Sequence, residues 1–521
     1  MKYDVIIIGS GFGGLVCGHI LSKAGKSVLL LERQAQPGGC IQSYRREGLT
    51  FDTGLHYVGG LAEGQTMHRL FDSLGLMKLP WHRLDPKGFD LVTIGGDTFA
   101  LAEGYENFVD TLAADFPKER EALQRYTEML RETQELGLDQ GSDQTNRGGS
   151  DHPNPSYSGG EISAGGPSYS GGEISAGGPS YSGGEIGAYE WLTKNFQDPL
   201  LVNIVSGNAL KMELRRESLP LFTFAHGQSS YIQSSWRLKG DGNMIVKSLT
   251  DDISHYGGSL ICRAEVEELI EHDGRIVAAR CRNGETYEAD IFISDVHPTL
   301  TFSWIRQSQV LKNMFRRRMA SLENTFGMFT ASLTIKEGTL PYFNHNKFVY
   351  TRPNVWTFYD ERDQKGDIGG VMISCRVPED GSTFTRQIDL MTPVPWNECQ
   401  QWEDSRIFRR SHAYNTWKEE TYTRCLALAE TVVPGLTEAV ESHYTSTPLT
   451  YRDYTLTPFG SAYGVRKDYR NLMMTMLSPR TPLPNLLLTG QNIILHGLEG
   501  VAMTATHTCK AVLGQFTVQS L

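Results

Sequence analysis

Tyr3-Asp4-Val5-Ile6-Ile7-Ile8-Gly9-Ser10-Gly11-Phe12-Gly13-Gly14 joins an apolar, β-branched run to a glycine-rich turn. A run of this kind forms a strand of a parallel sheet, buried on both faces. The glycines at 9, 11 and 14 keep the G-x-G-x-x-G spacing. Gly9 permits the tight turn, Gly11 lets the backbone approach a diphosphate, and Gly14 lets helix and strand pack closely. Leu15, Val16, Cys17, Ile20 and Leu21 then recur at helical spacing until Gly25 ends the helix. The free N–H groups and positive dipole end at the start of that helix favour phosphate. Ser27 to Leu31 is a second apolar strand. Glu32 stands at its end, about 20 residues past the glycines, where an acid accepts hydrogen bonds from a ribose hydroxyl. Strand, glycines, helix, strand and acid in this order predict a dinucleotide site; the glycine spacing alone would be weak.

The next segment bears on which dinucleotide is bound. Glu32 is followed by Arg33-Gln34-Ala35-Gln36-Pro37-Gly38-Gly39-Cys40, and then by Phe51-Asp52-Thr53-Gly54-Leu55-His56-Tyr57. A nicotinamide dehydrogenase continues with another βαβ unit. Here a Gly-Gly turn comes at once, leaving backbone without side chains where a cofactor passes. The stretch Glu32 to Tyr57 resembles the flavin-binding start of the phytoene desaturase superfamily, most closely its retinol saturase and carotenoid isomerase branch. The resemblance implies FAD, held by Gly9, Gly11, Gly13, Gly14, Glu32, Arg33, Gly38 and Gly39, with the Gly38-Gly39 pair beside the diphosphate and ribityl chain. Cys40 stands where desaturases and amine oxidases often carry arginine, a departure that favours the saturase-like branch.

Two later segments suit the same reading. From Gly257 the chain passes through Val266 and two tight-turn signals, Asp273-Gly274 and Asn283-Gly284, to Ala289-Asp290-Ile291-Phe292-Ile293-Ser294. Such turns join hairpin strands, so a three-stranded meander is predicted. The resemblance implies that the backbone at Val266 meets the adenine. Near the C-terminal end, Asn485-Leu486-Leu487-Leu488-Thr489-Gly490-Gln491-Asn492 leads through His496, Gly497, Gly500 and Val501 to a helix over Ala502 to Leu513. This is a strand, turn and helix that closes the fold with or without a flavin. In the family it resembles, Gly490, Gln491, Gly497, Gly500 and Val501 border the flavin, and many members have an acid at the position of Gln491.

The fold class is therefore α/β: a Rossmann-type FAD-binding domain (parallel sheet plus β-meander) with a discontinuous α+β substrate domain. The first takes residues 1–75 with 240–300 and 480–521, the second 76–139 with 187–239 and 301–479. Residues 104 to 136 carry apolar side chains at helical spacing. Residues 140–186 form an insert in which a Gly/Ser-rich dodecamer, first seen as Pro155 to Gly166, occurs three times. Its composition buries too little apolar surface to offset ordering entropy, so no catalytic role is assigned to it. Leu219 to His226 and Ser230 to Arg237 are rich in apolar and aromatic residues, suited either to core or to a tunnel for a long hydrophobic molecule. Arg237-Leu238-Lys239-Gly240-Asp241-Gly242 opens the next helix. Phe315-Arg316-Arg317-Arg318-Met319 is either a solvated helix face or a basic patch for an anionic membrane.

Composition bounds the function. A chain of 521 residues holds two to four domains at roughly 150 residues each. Its net charge of −11 speaks against nucleic-acid binding, which needs a basic face. The eight cysteines show no C-x-x-C and no zinc-like spacing, so free thiols in a reducing compartment are expected. No signal peptide or membrane span is apparent, which places the protein in the cytoplasm, with peripheral contact at the inner face of a membrane compatible with the basic patch.

Together these features predict an FAD-dependent oxidoreductase that exchanges a hydride at flavin N5 with a carbon–carbon bond of a hydrophobic polyene or isoprenoid substrate, as saturase, desaturase or isomerase. His56, Tyr57 and His496 fall within the motifs expected around the ring and are the catalytic candidates. No metal site is expected. The electron donor or acceptor is external: NAD(P)H, a quinone, oxygen or a redox protein. The alternatives are a flavin amine oxidase and, outside the enzymes, a lipid-carrier or escort protein on the same fold.

Overall fold

The computed structural model describes residues 2–139, 186–357 and 368–514. All but the last residue of the 140–186 insert, with its repeats, lies outside the described residues.

β1 (Lys2–Ile8) runs into the glycine turn and α1 (Phe12–Lys23), and β2 (Val28–Leu31) returns parallel beside β1. Every residue from Phe12 to Ser22 is buried, because α1 packs under the sheet on one side and against other helices on the other. The sheet is completed from distant parts of the chain: β3 (Ser259–Ile261), β4 (Val266–His272), β5 (Arg275–Cys281), β6 (Thr286–Ser294) and β7 (Leu486–Leu488). The order is β3-β2-β1-β6-β5-β4, with β7 also on β6. β6 is the hinge of this arrangement. It pairs antiparallel with β5 through Thr286 to Glu288, and parallel with β7 through Phe292 to Ser294. It also lies parallel to β1, from Glu288 opposite Lys2 to Ser294 opposite Ile8. One strand thus belongs to both the parallel sheet and the predicted meander, and the α/β class is observed.

A second sheet has the order Val440–Ser446, Gly327–Ile335, Gln387–Val394, Gly370–Cys375, Asn346–Tyr350, Asp90–Ile94, Asp97–Leu101. It is antiparallel except where Asn346–Tyr350 lies parallel to Asp90–Ile94, with Asn346 opposite Asp90. Helices Tyr105–Asp115 and Arg120–Asp139 flank it, together with α2 (Leu221–Gln233). Leu201, Ile204 and Phe224 are fully enclosed in the core here; each such side chain stabilises the fold by about 1.5–3 kcal/mol relative to exposure.

α2 resolves the choice left open for residues 219–237. Leu221, Phe224, Ala225 and Ile232 face the core, while Thr223, His226, Gly227, Ser230 and Tyr231 line a cavity. Residues Ser235–Leu238 then form a short strand between Val58–Gly59 and Trp81–Arg83. The last helix, α3 (Gly497–Leu513), begins five residues before the predicted start at Ala502. Gly497 keeps a left-handed turn conformation, φ +75°, at the first position of the helix, whereas Gly500 lies within it, where close packing leaves no room for a side chain: a Cβ would be 2.4 Å from that of Leu495.

The basic stretch 315–319 belongs to helix Asn313–Ala320. Arg316 donates to the Phe302 carbonyl at 3.1 Å and Arg318 to that of Met473 at 3.0 Å, so two of its three arginines are tied to the protein. Among the described residues no helix is long and apolar enough to cross a membrane, and all eight cysteines are unbridged.

Candidate active site

A cavity of about 360 Å³ extends from the glycine turn after β1 to the N-terminus of α3. At one end Gly9 has φ +94°, a left-handed conformation that glycine adopts without strain. Gly11 caps α1 with no side-chain acceptor, and no acid stands in the first helical turn, so the positive end of the helix opens toward the cavity and is met from within the chain by the Asp295 carboxyl. Gly39 closes on Gly11: a Cβ on Gly39 would lie 3.1 Å from the Gly11 Cα. The two glycine segments therefore touch backbone to backbone and leave a groove free of side chains.

Glu32 is buried at the end of β2. Its Oε2 accepts from the Ser10 N–H at 3.0 Å and the Ser10 hydroxyl at 2.5 Å, and its Oε1 accepts from the Gln34 N–H at 2.6 Å. Asp295, just after β6, lies beneath the turn. A Cβ on Gly11 would meet its Oδ2 at 2.6 Å, and one on Gly13 would meet its Oδ1 at 2.5 Å. Burial pushes the Asp295 carboxyl up to about 7, against the pull of the Gly14 and Gly11 N–H groups it accepts from, while the charge of Glu32 adds to the rise.

The other end is apolar and aromatic. Tyr57 donates from its hydroxyl to Asp90 Oδ2 at 2.9 Å. Asp90 also accepts from Asn208 at 3.0 Å and from Asn346 at 2.8 Å. Lys211 Nζ donates to the Tyr231 hydroxyl at 2.8 Å. His496 caps α3 and packs on Tyr463, with ring centroids 5.0 Å apart. Burial lowers His56 to about 3, with Lys211, Arg376 and Arg237 adding to the effect. His496 is lowered to about 4 by burial, then by Lys467 and Lys211. Both imidazoles are neutral at pH 7, and burial raises the Tyr57 phenol well above its usual value. Lys211 is lowered to about 7 by burial, with Asp90 opposing.

Of the residues singled out from the sequence, Gly9, Gly11, Gly13, Glu32, Arg33, Gly38, Gly39, His56, Tyr57, Val266, Gln491, His496, Gly497, Gly500 and Val501 share the wall of this one cavity. Gly14 and Gly490 do not line it. Both are sites of close packing: a Cβ on Gly14 would be 2.2 Å from the Gly9 carbonyl oxygen, and one on Gly490 2.4 Å from Asp295 Oδ1. Arg33 donates to the carbonyls of Asp453 and Tyr454, at 2.8 and 2.7 Å, and so fastens the cavity wall. Lys211, Asp90 and Asp295 were not foreseen. The signal for Lys211 was available, since it is a lone cation ending the largely apolar run Leu200 to Leu210.

The glycine cradle, the helix N-terminus and Glu32 together suit a dinucleotide. In agreement, residues 7–74 match the family model of an NAD(P)-binding Rossmann-like domain. An all-trans-retinol 13,14-reductase of Danio rerio is 22% identical, covering 98% of this chain and 86% of its own. A chloroplastic prolycopene isomerase of Arabidopsis thaliana is 21% identical over 87% of this chain and 72% of its own. Among solved structures, a cyclohexylamine oxidase from Brevibacterium oxydans shares the fold, with a TM-score of 0.58 at 14% identity, covering 98% of this chain and 100% of that one. With a dinucleotide-binding cradle at one end of its cavity and relatives spanning nearly its full length, the chain resembles the phytoene desaturase-like superfamily of oxidoreductases, most closely the branch of the retinol saturases and carotenoid isomerases.

Proposed function

We propose that the protein is an FAD-dependent oxidoreductase acting on a carbon–carbon bond of a hydrophobic polyene. The observation that carries this reading is the single cavity, which joins a dinucleotide cradle to an aromatic chamber lined by neutral histidines. FAD, when bound, supplies a hydride donor and acceptor. Gly9 to Gly13 and the N-terminus of α1 would hold its diphosphate, Glu32 a ribose hydroxyl, the backbone at Val266 the adenine, and Gln491 with Gly497 to Val501 the flavin ring.

The chain's own residues then shape the reaction. Tyr57, Tyr231 and Tyr463 give flat apolar walls that orient a conjugated chain by stacking. His56 and His496 are uncharged and remain within reach of the chamber without bringing in a hydrated ion. Exclusion of water strengthens every remaining electrostatic contact and prevents leakage of the hydride to solvent. The substrates in the relatives' names, all-trans-retinol and prolycopene, support a long isoprenoid as the partner. Electrons enter or leave through an external donor or acceptor, and contact with a membrane surface would ease delivery of such a substrate.

The amine oxidase fold leaves a second reading, oxidation of an amine. Lys211 weighs against it, because a cation in the far chamber repels an ammonium. The test is an absorption spectrum of the purified protein, with chromatographic identification of the ligand released by heat. Stoichiometric FAD that bleaches under a reductant and reoxidises with a polyene supports the proposal. A protein that neither contains nor takes up FAD sinks it, and bleaching by amines alone favours the second reading.

A further inference from the structure

Hydride transfer to a hydrocarbon chain does not call for a buried cation, yet Lys211 supplies one. It ends the short helix Gly207–Lys211 and lines the far chamber. Its Nζ lies 3.7 Å from the ring centroid of Tyr57 and 4.0 Å from that of Tyr231. The two rings stand 4.3 Å apart, inclined by 30°, so the ammonium rests on a paired aromatic wall. Cation–π contact of this kind is strongest away from water. Tyr57 strengthens it further, since its hydroxyl donates to the Asp90 carboxylate and enriches the ring.

What Lys211 lacks is a full set of oxygen acceptors. Its ammonium has three N–H donors, and the Tyr231 hydroxyl takes one of them. Among the described residues, the carboxylate that acts on Lys211 is Asp90. Both Asp90 oxygens are already engaged, by Tyr57, Asn208 and Asn346. Asn208 is held in turn by Gln228 at 2.8 Å, so this polar network is braced behind the aromatic wall rather than free to turn toward the lysine. A buried charge with incomplete hydrogen bonding is costly, and a ligand oxygen reaching the chamber would complete its shell. A pure hydrocarbon would leave it incomplete.

We propose that Lys211, aided by Tyr231, is a specificity-determining anchor for an oxygen, hydroxyl or carboxylate, at one end of the substrate; this rests on the polyene reading. Burial keeps the lysine close to its proton-exchange point, at about 7, so it can accept from a hydroxyl when neutral and donate to a carboxylate when charged.

Binding to the purified holoprotein tests this without turnover, through quenching of tryptophan fluorescence by three probes: all-trans-retinol, all-trans-retinoic acid and the hydrocarbon of the same carbon skeleton. The alcohol, the acid or both should bind at least about tenfold more tightly than the hydrocarbon, as expected where a site is built to hydrogen-bond an oxygen. Lys211→Met should reduce that ratio to within about threefold and leave hydrocarbon binding unchanged, with Tyr231→Phe intermediate. Should Lys211→Met fail to fold, the wild-type ranking and Tyr231→Phe decide. Equal binding of all three probes, or a preference for the hydrocarbon, overturns the anchor and leaves the polyene reading standing. A ratio retained in Lys211→Met also overturns it, and an accompanying change in the flavin spectrum would assign the lysine to the cofactor instead. Binding of none of the three overturns both proposals.

Discussion

Ser10 gives both its backbone N–H and its hydroxyl to one oxygen of Glu32, at 3.0 and 2.5 Å. The acid at the end of β2 is thereby tied to the middle of the glycine turn, and each fixes the other. Glu32→Ala should remove a ribose contact and loosen the turn together, weakening FAD by about tenfold or more. FMN, which lacks the adenosine ribose, should weaken less. Equal losses in titrations with the two flavins would take Glu32 out of the adenosine site.

Gly11→Val should abolish cofactor retention. Any Cβ at this position enters the space of the Asp295 carboxylate, 2.6 Å from Oδ2, and the branched side chain fills the groove shared with Gly39. A folded variant that keeps a full complement of yellow flavin after gel filtration would contradict the site.

Asp295 gives the apoprotein a pH dependence of definite sign. Its carboxyl is raised from 3.8 to about 7 when folded, so the native state holds a proton that the unfolded chain releases. Stability from this group is full below pH 3.8 and is lost as pH rises toward about 7. Asp295→Asn keeps an oxygen for the Gly11 and Gly14 amides but carries no charge. The apo variant should exceed the wild type by on the order of 2 kcal/mol at pH 8, with the gap closing toward pH 4. It should also bind FAD more tightly at pH 8, where the native carboxylate repels the diphosphate. Urea midpoints that coincide at pH 8 would show that the carboxyl is not strained by burial.

His19 acts in the opposite direction. It is buried in α1 with Asp252 Oδ2 3.5 Å from its Nδ1, and burial lowers it from 6.5 to about 4 despite that neighbour. The unfolded chain takes up a proton that the folded one refuses, so stability falls as pH drops from 6.5 toward 4. His19→Leu should flatten this acid limb, by about 1–2 kcal/mol at pH 4 relative to the wild type. An unchanged slope in denaturant titrations would assign the acid sensitivity to other groups.

The readable part of this chain was local. Each glycine of the first turn answers a stereochemical demand set within a few residues, and Glu32 follows from the length of one βαβ unit. The turns at Asp273-Gly274 and Asn283-Gly284 announced the meander in the same way. The start of α3 was placed too late because glycine at 500 signals a turn, whereas here it answers close packing against Leu495 inside the helix. Lys211 and Asp90 escaped for a related reason. Asp90 is engaged by Asn346, 256 positions away, only because two strands happen to pair parallel at that register. No pattern in the neighbourhood of either residue encodes that meeting.

The placement of β7 against β6 has a bearing on how the protein is made. Cys17 in α1 approaches Thr489, 472 positions later, and Ile293 has no partner on that edge until Leu487 exists. The glycine turn emerges from the ribosome long before the wall provided by Gln491 to Val501. At roughly 5–20 residues per second, the nascent chain waits about 10–40 s with an apolar strand edge uncovered. Capture of the proposed cofactor then becomes a late event in synthesis, after the second wall of its cavity has been made.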